Sequence, residues 1–153
     1  MSKPVNSVFF VTLFVGLFAL SMLLLTACQQ QQIKKDIEVK DAWLRAMPEG
    51  SRSTAGFMTI INNTNKPLIF KDVEVSWARH AMLHESKVVD GMAKMLHLDD
   101  LTIEDQMSFE PGAKHIMIMG VREPLMLGKS YNILLHFEGL EPLEINFEVR
   151  HAN

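Results

Sequence analysis

The chain has 153 residues, with 15 basic against 18 acidic side chains, a formal net charge of −3 and a single cysteine. A mildly acidic chain of this size carries no electrostatic footprint for nucleic acid, and one cysteine excludes a disulfide framework or a cysteine-built zinc site. Methionine, by contrast, occurs 11 times and histidine six.

Residues 1–27 carry Lys3 and then the apolar run VFFVTLFVGLFALSMLLL, which reads as a secretory leader with a short polar start and a long apolar middle. Leu25-Thr26-Ala27-Cys28 resembles the lipobox of bacterial lipoproteins, in which the leader is cut before the cysteine and the new terminus is acylated. The run is nearly long enough to span a bilayer, for which about 20 residues are needed; the small residues ahead of a lone cysteine favour cleavage. Cys28 is therefore expected to be a lipid anchor. Gln29 behind it resembles the sorting pattern for the outer membrane of a Gram-negative cell, with the protein facing the periplasm. Loss of the leader leaves 14 basic and 18 acidic residues. Residues 28–36 read as a polar tether and 37–153 as one domain, a comfortable length for one core.

Period-two alternation recurs along that domain and no long helical period competes with it. Strands are expected at Ile37 to Ala46, Ala55 to Asn62, Ile69 to Val75, Ala81 to Val89, Met92 to Leu98, Met107 to Phe109, His115 to Met119, Tyr131 to Phe137 and Leu143 to Val149. NNTNKP, Asp90-Gly91, Pro111-Gly112, Gly128 and Gly139 separate them as turns. Many short strands at this spacing predict an all-β sandwich or barrel without a second domain.

Asp90-Gly91 permits a statement about register. A two-residue hairpin loop there pairs Val89 with Met92 and, carried back along the ladder, His84 with His97. Met95 then shares the face of His84, diagonally about 7–8 Å away. In HIMIM, His115, Met117 and Met119 project to one side and the two isoleucines to the other, with same-face neighbours roughly 6.5–7 Å apart.

Singly, these residues have ordinary explanations. Methionine fills irregular gaps in cores, and Met47, Met58, Met107 and Met126 are read that way; Trp43 and Trp77 are read as core aromatics and Asp99-Asp100 as a solvated loop. Together, His84, Met95, His115 and Met117 offer two imidazoles and two thioethers from three strands. Thioether sulfur is soft and neutral, which favours Cu(I), and imidazole suits copper as well. His97 and Met119 stand as possible auxiliary ligands, whereas His80, Met82 and Met92 are read as packing or solvent-facing. No nucleophile–base pair, phosphate loop or paired carboxylates point to an enzyme. A blue-copper electron carrier would need a cysteine ligand, and the one cysteine lies at the anchor. A lipid-anchored interaction module with a methionine-rich core and no metal is the competing reading.

The pattern H-x10-M…H-x-M, set in MLHES, DGMAKM and FEPGAKHIMIMG, resembles the periplasmic copper chaperone family called PCu(A)C, from about Ala42 to Val149. The resemblance implies a cupredoxin-like Greek-key β-barrel of one domain that binds one Cu(I). It further implies that a monomer delivers the ion to copper-accepting respiratory proteins, above all the binuclear copper centre of cytochrome oxidase, or to other copper chaperones. The family's ligands fall on His84, Met95, His115 and Met117. Three departures stand out: 19 residues separate Met95 from His115 where 21 are usual, read as a loop trimmed around Thr102 to Gln106; Ser86 stands near the place of an optional methionine; and the chain stops at HAN, without a Met- and His-rich tail for a second, Cu(II), site.

Overall fold

A computed structural model describes residues 36–152; the leader and Cys28 lie outside the described residues. Ten strands build the fold: β1 (Ile37–Arg45), β2 (Ser53–Asn62), β3 (Leu68–Glu74), β4 (His80–Val89), β5 (Met92–His97), β6 (Leu101–Ile103), β7 (Gln106–Phe109), β8 (Lys114–Met119), β9 (Ser130–Phe137) and β10 (Leu143–Arg150). They form one continuous sheet in the order β5-β4-β8-β2-β1-β10-β9-β3-β6, with β7 also paired to β2. The first strand runs parallel to the last, Leu44 opposite Val149, while the other pairings are antiparallel. β8 returns between β4 and β2, so the order is that of crossed connections rather than a simple meander.

The alternation seen in the sequence dictates what is inside. Ile133, Leu135 and Phe137 of β9, and Leu143, Phe147 and Val149 of β10, all point into the core. Inside that core Phe70 of β3 stacks at 5.1 Å on its cross-strand partner Phe137 of β9 and meets Phe109 of β7 edge-on at 5.8 Å, an arrangement that aromatic quadrupoles favour. Because β6 pairs with β3 and β7 with β2, the short segment joining them ties opposite parts of the curled sheet.

That segment corrects one expectation. The stretch around Thr102 to Gln106, expected as a loop, is mostly strand: β6 and β7 occupy most of it, separated by Glu104 and Asp105. β6 is three residues long, too short for alternation to be legible. Buried Asn62 holds this corner, its amide nitrogen lying 2.8, 3.1 and 2.7 Å from the carbonyl oxygens of Lys66, Ile103 and Glu104. Its side-chain oxygen accepts from the Thr64 N–H and hydroxyl, so a polar group is buried at little cost.

Among the methionines, Met58 is buried and Met47 and Met107 pack partly against the core, but Met126 is 62% exposed, contrary to its reading as packing. Neither tryptophan belongs to the fully buried core; Trp77 is half-buried, packs against it and donates its indole N–H to the Asn132 carbonyl. Trp43 is half-buried beside Phe57. Asp99 is exposed, while Asp100 pairs at the surface with Lys71.

Candidate metal centre

The β4–β5 hairpin turns at Asp90 and Gly91, with φ of 54° and 75°. Two successive positive φ values are what a type I′ turn requires, and they match the right-handed twist of the flanking strands. The resulting register places Val89 opposite Met92, Ser86 opposite Met95 and His84 opposite His97, as the dipeptide predicted. On the other side of β4, β8 sets His84 opposite His115 and Met82 opposite Met117. Directly paired residues of an antiparallel ladder share a face. His84, Met95, His97, His115 and Met117 therefore lie on one face, and the alternate residues Leu83, Ile116 and Ile118 are buried in the core behind it.

The imidazole ring of His84 lies 5.6 Å from that of His97 and 6.1 Å from that of His115, both nearly edge to face. Nδ1 of His115 is 3.0 Å from the Ala113 carbonyl oxygen. A carbonyl can only accept, so in the neutral ring Nδ1 carries the proton and Nε2 keeps its lone pair. This is the arrangement by which ligating histidines are usually oriented. Nδ1 of His84 is buried and has no hydrogen-bond partner among the described residues. Buried polar atoms are normally satisfied, and an ion shared with the neighbouring ring would satisfy this one.

Exposure is graded across the site. His115 is 6% exposed, His84 and Met117 are half-buried, and Met95 on the edge strand is 55% exposed. His115 is the most enclosed of the four because β4 pairs directly with it and the Gly112–Ala113 turn precedes it. Met95, His115, Met117 and Ser86 line a cavity of about 390 Å³ together with Arg45 and Ser53. Arg45 also stands over the Phe57 ring at 5.2 Å. Its place in the wall had no signal in the sequence, because it depends on how the end of β1 meets β8 through β2. Met119 lies one rung beyond Met117, opposite His80.

No group of three or more His, Cys, Asp or Glu side chains among the described residues is arranged to hold a metal ion. Sulfur donors would have to complete any such site, and the donor set present fits a soft ion such as Cu(I) better than zinc, magnesium or calcium.

Burial, and then the neighbouring His115 and His97, lower the pKa of His84. A proton therefore binds His84 less readily in the folded chain than in the unfolded one, whose value is near 6.5. The resulting stability is intact above that pH and is lost as pH falls towards the lower, folded value. We expect the melting temperature of the metal-free protein to drop between pH 7.5 and 5.5, and to drop less in His84→Gln. An equal decline in both would show that other groups control it.

The fold resembles solved copper-related domains. A copper-bound PCuAC domain from PmoF2 superposes with a TM-score of 0.64 at 19% identity, covering 76% of this chain and 94% of that one; at such identity the likeness concerns the fold alone. Apo-DR1885 from Deinococcus radiodurans gives 0.61 at 28% identity, covering 76% of this chain and 80% of its own. The Cu(I) form of DR1885 gives 0.60 at 27%, covering 75% and 78%. The molecule is thus an all-β domain that shares the cupredoxin-like fold of the PCuAC domains.

Residues 37–149 match the family model described as "Putative lipoprotein LpqE-like", and the chain belongs to that family. A curated relative, "Putative lipoprotein Lxx21020" of Leifsonia xyli subsp. xyli, is 29% identical over 104 residues, spanning 66% of this chain and 61% of the relative. The chain therefore covers about three fifths of that relative's length.

Proposed function

We propose that this protein is a copper carrier rather than an enzyme. It binds one Cu(I) through His84, Met95, His115 and Met117 and delivers it to respiratory copper enzymes, above all the binuclear copper centre of cytochrome oxidase. The observation that carries this reading is the shared face of β4, β5 and β8, on which the orphaned Nδ1 of His84 stands beside the oriented ring of His115. The likeness to the Cu(I) form of DR1885 supports it.

Met95 and Met117 supply the preference for a soft monovalent ion, and the two imidazoles complete the set. His97, beside His84 and 3.7 Å from the Asp99 carboxylate, is an auxiliary donor at the exposed rim. The gradient of exposure gives an order of exchange: an acceptor reaches Met95 first and His115 last. Cys28, which lies outside the described residues, is the lipid anchor in this reading, and the family's lipoprotein description supports it. The carrier works as a monomer tethered on the periplasmic side, at the outer membrane by the reading of Gln29.

Cu(I) titration of the purified protein against a competing chromophoric chelator, under reducing conditions, tests the function. One tightly held equivalent is expected at pH 7.5, with weaker retention near pH 5, since ligation needs neutral imidazole. Absence of any uptake would leave a metal-free interaction module as the better reading.

A further inference from the structure

The donors of the proposed site do not end at its four ligands. Along the β4–β8 ladder three successive same-face rungs pair His84 with His115, Met82 with Met117, and His80 with Met119. Every position on these rungs carries an imidazole or a thioether. The face behind them is aliphatic and buried: Leu83, Ile116 and Ile118 are 2%, 0% and 0% exposed. Beside the two outer rungs, the neighbouring strand β2 sets small side chains, with Ala55 opposite Met117 and Ser53 opposite Met119. Met82 and Met119 are half-buried, not enclosed, and His80 is exposed. No hydrogen bond or ion pair engages the His80 ring among the described residues.

We propose that His80, Met82 and Met119 form a second, weaker Cu(I) position one rung from the principal site, with Met117 shared between the two. The inference rests on the copper-carrier reading and adds a route to it. Partners on one rung are about 4.5–5.5 Å apart at Cβ, and successive rungs on one face are roughly 6.5–7 Å apart. Long, flexible thioethers at those spacings converge on one ion from either side. Met117 passes the ion along the file without releasing it to solvent. The change is an exchange of neutral ligands, so neither charge nor oxidation state alters. The principal site holds the ion more tightly because its two imidazoles are partly buried, whereas the outer position has one exposed imidazole.

The test is anaerobic Cu(I) titration of the full protein in detergent, past one equivalent, with methionine methyl resonances followed by NMR. A second equivalent should bind, with Met82 and Met119 responding to it and Met95 responding to the first. The His80→Ala/Met82→Leu variant should lose the second equivalent by at least about tenfold in affinity, the scale seen when a metal site loses a supporting group. Its first equivalent should stay within about twofold of the parent, because Met→Leu nearly conserves volume. Saturation at one equivalent overturns the proposal. So does a second equivalent that survives in the variant, or one abolished instead by Met92→Leu/His97→Ala on the hairpin. Failure to bind the first equivalent at all would be a different result, removing the carrier reading itself.

Discussion

Replacing Met95 and Met117 together by alanine is expected to weaken binding of the first Cu(I) at least about 100-fold, or about 2.7 kcal/mol. The reasoning begins with what the variant retains. Met95 is 55% exposed on the edge strand and Met117 is half-buried on the outer face, so neither belongs to the buried core. Truncations away from core, caps and buried networks usually change stability by no more than about 0.5 kcal/mol; Met117 costs somewhat more, without threatening the fold. What disappears is both soft donors at once. The remaining imidazoles bind Cu(II) and zinc as readily as Cu(I), so selectivity falls along with affinity. Met92→Ala, on the same hairpin and 59% exposed, serves as the control and should bind copper like the parent. An alanine double variant that keeps its β-rich circular dichroism and full Cu(I) affinity would sink the ligand assignment.

Phe70→Ala is expected to be the most damaging single change to the fold, costing about 3–5 kcal/mol. Phe70 is fully buried, and its ring contacts reach β9 through Phe137 and β7 through Phe109. Removing it opens a void between β3 and β7, near the β6–β7 corner, where collapse is constrained by the Asn62 hydrogen bonds. Against a typical total of about 5–15 kcal/mol, such a loss leaves the domain marginal. Urea unfolding should show the midpoint lowered with an unchanged slope. Excess Cu(I) should recover part of the loss, because a ligand of the folded state alone stabilises it by mass action. A midpoint within experimental error of the parent would mean that the aromatic cluster contributes little.

Local patterns made much of the architecture legible. Alternation marked nine of the ten strands, with ends displaced by one or two residues where fraying and turn residues blur the pattern. Asp90-Gly91 determined the β4–β5 register, because few residues other than glycine, asparagine and aspartate adopt the positive φ that a two-residue hairpin needs. The division of His115, Met117 and Met119 from the isoleucines followed from the pleat alone.

Other features arise only when distant segments meet. That β8 inserts between β4 and β2, setting His84 against His115 and Met82 against Met117, joins residues some thirty positions apart and has no local signature. The burial of His115, the presence of Arg45 in the cavity wall and the orphaned Nδ1 of His84 depend on what packs beside them. So does the file of donors through His80 and Met119, which were read singly as a packing or solvent-facing residue and as a possible auxiliary ligand. The sequence by itself determined which side chains share a face within a strand or hairpin, since that is set by backbone geometry over a few residues. The tertiary structure decided which strands lie side by side, because pairing across long loops is selected by burial of the whole core and not by any one segment.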